Sequence, residues 1–209
     1  MFLIVFAAAT ALATPVEDFY PLVPGTRLTY EDANGLQMVD EIGKPVDIGK
    51  EVMATPKTSS VSGRSSGSEL YRIDGDTLLL VGYIDKTARP PAPELNVLSQ
   101  PQPILRVAKT GKAEWQHLGE ISTGLGPVLL RVRGDSSRGP KRKILDREVE
   151  TLNVHVVSII GNDAQAVEVR QDVVYGKGIG MVEMTEATKA AGKTVKKVLK
   201  LVKFEPPEG

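Results

Sequence analysis

Residues 165–175 read Gln-Ala-Val-Glu-Val-Arg-Gln-Asp-Val-Val-Tyr, and their alternation decides the fold class. Val167, Val169, Val173 and Tyr175 fall on one face of an extended chain, and Glu168, Arg170 and Asp172 on the other. Side-chain direction in a strand repeats every two residues, so this is a strand with one covered and one solvated face. Residues 152–160 (LNVHVVSII) come before it, and Gly161-Asn162-Asp163 supplies hairpin turn chemistry between the two. Residues 179–186 follow the Gly176-Lys177-Gly178 turn and complete a three-stranded meander.

Outward from this meander the same signals recur. Residues 26–32, 36–42, 69–74, 77–84, 113–118, 127–133 and 143–150 read as further strands, with Gly75-Asp76 a tight join. Convincing helical periodicity is nearly absent. Short strands at regular spacing, separated by Gly, Asn and Asp, predict a large antiparallel sheet or barrel. Residues 193–204 (KTVKKVLKLVKF) fit a helix through Val195, Val198, Leu199 and Val202, or a strand through Val198, Val202 and Phe204. Their β-branched content favours a final strand. Three stretches interrupt the pattern: residues 55–68 (TPKTSSVSGRSSGS) as an exposed flexible loop, residues 89–94 (RPPAPE) as a stiff connector, and residues 133–143 (RGDSSRGPKRK) as a basic hairpin tip. Strands of the same character flank each stretch, so none reads as a domain linker.

Residues 1–13 (MFLIVFAAATALA) have the apolar run and the Ala11-Leu12-Ala13 pattern of a secretory signal peptide, without the usual basic start. Cleavage after Ala13 would leave residues 14–209 as a single β-rich domain, large enough to bury a core. The 209-residue chain balances 26 basic against 26 acidic residues, which disfavours a nucleic-acid binder. It has no cysteine, hence neither a disulfide nor a cysteine acyl anchor, and no N-glycosylation sequon. The expectation is export to the periplasm or beyond as a soluble protein with no transmembrane segment.

Motifs that carry chemistry elsewhere lack their structural context here. Gly63-Arg64-Ser65-Ser66-Gly67 matches the nucleophile-elbow pattern, but no apolar strand leads into it and no helix follows. Tyr175-Gly-Lys-Gly-Ile-Gly180 opens a strand, not the helix that phosphate binding needs. Arg133-Gly134-Asp135 is an integrin-type tripeptide too short to argue from. His117 and His155 stand far apart without cysteine partners, so no metal site and no cofactor are expected. Glu31-Asp32 and Asp40-Glu41 are adjacent pairs that point to opposite strand faces, not carboxylate dyads.

The mature N-terminus, Asp18-Phe-Tyr-Pro-Leu22 followed by Pro24-Gly-Thr-Arg-Leu-Thr-Tyr30, resembles that of many bacterial exported proteins and lipoproteins. Those carry a Y-x-P-L run and then G-x-x-W-x-Y, with Leu28 here in place of the common Trp. Their G-V-G-L-V turn is matched by Gly178-Ile-Gly-Met-Val182. The resemblance implies a mainly β fold with few helices: a large antiparallel curved sheet or half-barrel of the LolA, LppX and RseB type around an apolar groove. A closed lipocalin-like barrel is the alternative. It implies no catalytic residues.

Residues 77–84 and 128–132 are apolar on both faces, so both faces must be covered. The leading expectation is therefore a non-enzymatic exported protein binding a hydrophobic ligand, lipid or lipoprotein acyl chain through Leu79, Val81, Tyr83, Val128, Leu130, Val167 and Val169, which plain core packing would explain equally well. The second is an envelope interaction module meeting an anionic surface or protein partner through Arg138, Lys141, Arg142, Lys143, Lys196, Lys197 and Lys200. On a terminal strand those last lysines would otherwise protect a sheet edge.

Overall fold

Alternation becomes strand almost throughout the chain. The computed structural model describes residues 15–65, 67–87, 94–123, 126–161 and 166–207, so residues 1–13, read above as a signal peptide, and nearly all of the 89–94 connector lie outside the described residues. A one-turn helix α1 (Pro15–Phe19) is followed by β1 (Arg27–Asp32), β2 (Gln37–Ile42), β3 (Val46–Asp47), β4 (Met53–Val61), β5 (Gly67–Asp74), β6 (Thr77–Asp85) and β7 (Glu94–Arg106). The second half holds β8 (Lys112–Thr123), β9 (Gly126–Ile144), β10 (Arg147–Ile160), β11 (Val167–Gly176), β12 (Gly180–Ala190) and β13 (Lys193–Glu205).

The strands form one antiparallel sheet in the order β7-β6-β5-β4-β2-β1-β13-β12-β11-β10-β9-β8, with β3 attached to β4. Two meanders are thus joined where the first and last strands of the barrel pair, Leu28 opposite Phe204 and Tyr30 opposite Leu201. β7 and β8, consecutive in the chain, are the two edges of the sheet.

The sheet curls into a nearly closed barrel, and α1 shows how far. Val16 and Phe19 are fully buried in a cluster that takes Tyr71 from β5, Leu78 from β6, Leu105 from β7, Trp115 from β8, and Leu152 and Val154 from β10. Strands near opposite edges can touch one helix only if the sheet wraps round it. An eight-stranded barrel is about filled by its own side chains, whereas twelve strands enclose more space. Here α1 plugs one end: Arg138 lies 4.6 Å from the Phe19 ring centroid, and Gly178 N–H donates to the Asp18 carbonyl at 2.7 Å. Burying Phe19 and Val16 contributes about 1.5–3 kcal/mol each.

Four expectations need correction. Residues 55–68 are not a flexible loop, because β4 and β5 occupy most of them. Their small polar side chains bond across the ladder, Thr58 to Ser68 at 2.6 Å and Ser59 Oγ to Asp40 at 2.6 Å. Residues 133–143 are not a hairpin tip either. They run inside β9, paired with β10 throughout most of the stretch, while the turn falls at Leu145 and Asp146, both at positive φ. β13 is a strand, but it lies between β1 and β12, so its lysines protect no edge. Finally β7, which carries Pro101 and Pro103, went unread as a strand; proline is tolerated there because β7 is an edge.

Candidate functional site

Cross-strand pairing places a row of unusual residues on the inner face. Ile42 pairs with Lys57, Lys57 with Glu69, and Glu69 with Tyr83, so all four project to the same side of the sheet. One strand over, Leu28 pairs with Asp40 and Asp40 with Ser59. A lysine and two carboxylates therefore meet inside the barrel. Lys57 Nζ lies 3.1 Å from Glu69 and 3.6 Å from Asp40, whose side chain is 4% exposed. Tyr71 donates its hydroxyl to Glu69 at 2.6 Å.

Burial alone would push the Lys57 ammonium down, but the Tyr20 and Tyr71 phenols and the Asp40 and Glu69 carboxylates hold it well above the ordinary lysine value. Burial would likewise raise the half-exposed Glu69 carboxyl. The Lys57 charge, with hydrogen bonds from Tyr71 and Lys57, outweighs that and keeps it below the usual range. Lys57 and Glu69 are therefore ionised at neutral pH, and the cluster is internally paired.

It borders a cavity of about 240 Å³. Four of the five tyrosines line it: Tyr20, Tyr30, Tyr71 and Tyr175. Tyr20 packs at 5.6 Å from Tyr71 and 5.9 Å from Tyr175, between ring centroids. The rest of the lining is largely apolar, with Leu28 and Ile42 beside the cluster and Val173, Ile179, Met181 and Met184 from the second half of the chain, where Gln171 donates to Glu186 at 2.8 Å. A second hollow of about 410 Å³, lined by Ser59, Tyr83, Ile84 and Asp85, shares Lys57 and Glu69 with the first. The ion cluster thus stands between the inner cavity and the barrel mouth.

None of the seven residues expected to meet a ligand lines the inner cavity. Tyr83 lines the mouth hollow beside Glu69. Val128, Leu130, Val167 and Val169 share the inner face higher in the barrel, where Leu130 and Val167 both pair with Ile160 and Val169 pairs with Ser158. Leu79 and Val81 pack elsewhere, with Ala54 and Leu70 beneath Val46 and Ile48 on the outer face. The cause is a bulge in β6. Tyr71 pairs with Leu80 and Leu70 with Gly82, so Val81 is the extra residue and strict alternation fails there.

The seven basic residues are not gathered. Four sit on β9 and three on β13, with β10, β11 and β12 between. Arg138 points inward over Phe19, Arg142 reaches Glu183 at 3.6 Å and Lys143 reaches Asp146 at 3.1 Å, while Lys141 is exposed. Lys197 pairs opposite Glu186, Lys200 lies between Glu31 and Glu183, and Lys196 is exposed opposite Ala187. The Ser65 hydroxyl of the elbow-like motif donates to the Gly67 carbonyl at 2.9 Å. His155 bonds Asp172 at 2.8 Å on the outer face, and burial lowers the His117 value beside the β7–β8 gap.

The residues sequence reasoning missed, Asp40, Lys57, Glu69, Tyr20, Tyr30 and Tyr71, have one signal in common: five sit at inward parity on strands, and Tyr20 directly follows the plug helix.

No known protein family matches the sequence, and no curated protein does. Among solved structures, the chain is similar to a candidate exported protein with a YmcC-like fold from Bacteroides fragilis. The two share 9% identity with a TM-score of 0.43, over 90% of this chain and 99% of that one. What the structure itself defines is an antiparallel β-barrel enclosing a chamber that is polar on one side and apolar on the other.

Proposed function

We propose that this protein is an exported, non-enzymatic binding protein that holds a small, largely apolar guest, or the end of a single acyl chain, inside its barrel. The observation that carries the reading is the two-sided cavity: an internally paired ion cluster and four tyrosines facing an apolar wall that includes two methionines. Binding sites of this kind combine apolar surface with a few fixed polar groups. The methionines, unbranched and polarizable, adapt to guests of different outline. The mouth hollow supplies a route from solvent past Lys57 and Glu69.

A non-catalytic role is supported by how the ionisable side chains of the chamber are engaged, since Lys57 and both carboxylates bind one another. The outer wall carries paired charges, among them Glu168 with Arg170 and His155 with Asp172, which suits an aqueous exterior and not a lipid-facing band. Among the described residues no helix is long and apolar enough to cross a membrane. Docking on an anionic surface has less support, because its lysines are divided between two distant strands and several already face carboxylates.

Native mass spectrometry of detergent-free periplasmic protein, followed by organic extraction, tests the reading. A stoichiometric apolar guest is the expected result. A clean apo mass, with no uptake of small apolar molecules, overturns it.

A further inference from the structure

Nearly every polar group around the inner cavity has a partner. Lys57 serves Asp40 and Glu69, Ser59 donates to Asp40, Tyr71 to Glu69 and Gln171 to Glu186. Tyr20, only half-buried, packs its ring 5.6 Å from that of Tyr71. Two buried phenols stand outside this network. Tyr30 is 1% exposed and Tyr175 6% exposed, both line the cavity, and neither hydroxyl has a hydrogen-bond partner among the described residues. They enter from different strands, β1 and β11, and so face the chamber from two sides. A hydroxyl that opens onto a cavity with no protein partner is free to bond what the cavity holds.

We propose that Tyr30 and Tyr175 are the donor pair for the oxygen of an uncharged, otherwise apolar guest such as a ketone, ester or alcohol. The inference rests on the binding role proposed for the same cavity and names the chemistry of its occupant. Charge decides against the ions. Asp40 and Glu69 outnumber Lys57, so a carboxylate or phosphate meets a surplus of like charge. An ammonium would have to displace Lys57 from carboxylates it already holds. Burial pushes both phenols above the ordinary value of 10.0, so they remain protonated donors at any physiological pH. The volume, about eight waters at about 30 Å³ each, suits a compact molecule and excludes a two-chain lipid.

Four probes of matched length separate the alternatives: 2-heptanone, heptane, heptanoate and heptylamine, titrated into the intact protein at neutral pH with ligand-observed NMR. The ketone is expected to bind about tenfold tighter than the alkane, and tighter than either ion. In the double variant Tyr30→Phe/Tyr175→Phe the ketone falls to within about twofold of heptane, heptane is unchanged, and the unfolding midpoint does not drop. Equal binding of ketone and alkane, a ketone advantage that survives the double variant, preference for either ion, or a lowered unfolding midpoint each overturns the donor assignment while leaving the cavity a binding site. Failure of all four probes overturns the binding role itself.

Discussion

The two halves of the chain build the same architecture and line it differently. From β1 to β7 the inner face carries Asp40, Lys57 and Glu69 beside Tyr30 and Tyr71. From β8 to β13 it carries Leu152, Val154, Val173, Met184, Leu199 and Leu201, with Tyr175, Gln171 and Glu186 among its polar groups and Arg138 turned in over Phe19. The first meander supplies the charged side chains of the cavity and the second both of its methionines. Their junction along β1 and β13 is therefore also the boundary between two environments, and a guest between them meets both.

If the polar half depends on its internal pairing, Lys57→Met is the most damaging single change. It leaves buried Asp40 and Glu69 without a cation and costs about 3–5 kcal/mol in urea unfolding near neutral pH. The pH dependence sharpens this. Glu69 is held below its ordinary 4.5 when folded, so its contribution is full above that value and is lost as pH falls through the depressed folded value. Lys57 is held above its ordinary 10.5, so its contribution is full below that value and is lost as pH rises through the higher folded one. In the variant, burial acts on Glu69 against the Tyr71 hydrogen bond alone and raises its folded value, so acidification favours the folded state. The gap between variant and parent should narrow between about pH 7 and about pH 4. A constant gap would break the claim that pairing holds this half together.

The apolar half should respond as an ordinary core. Leu199, 2% exposed, is expected to cost about 2–5 kcal/mol on truncation to Ala, with no pH dependence of the difference. Close packing near the sheet edge gives a smaller effect. A Cβ on Gly134 would collide with the Trp115 indole directly across the ladder, so Gly134→Ala costs about 1–3 kcal/mol. Combining it with Trp115→Ala should leave less loss than the two changes summed, and simple additivity in a double-mutant cycle would refute the contact. The smallest effect belongs to the edge strand itself: Leu118→Ala, at a position 64% exposed, should shift stability by no more than about 0.5 kcal/mol.

The same division explains what the sequence makes legible. In β11 the inward Val167, Val169 and Val173 are aliphatic and the outward Glu168, Arg170 and Asp172 charged, so that strand and its place in the meander follow from alternation. In β4 the inward side chains are Lys57 and Ser59, whose cover is Glu69 and Asp40 from neighbouring strands. Only tertiary structure supplies those partners, so a serine-rich segment reads as loop. β7 is hidden by Pro101 and Pro103, whose acceptability depends on an edge position that no local pattern announces. The bulge at Val81 does the most to move the site, because a single inserted residue sends Leu79 and Val81 outward while Tyr83 stays inward.

Because the ladder is unbroken everywhere except between β7 and β8, the circumference of this barrel is held by backbone bonds at every station but one. That slit is pinned at the plugged end, where residues 107–111 join the strands covalently and the Ser136 hydroxyl bonds the Arg106 carbonyl. Toward the mouth, among the described residues, no ladder joins the two edges, and a narrow crevice lined by Leu98, His117 and Ile121 runs between them. The molecule is built like a clothes-peg, sprung at its base, and its jaws can part without breaking a single rung of the ladder.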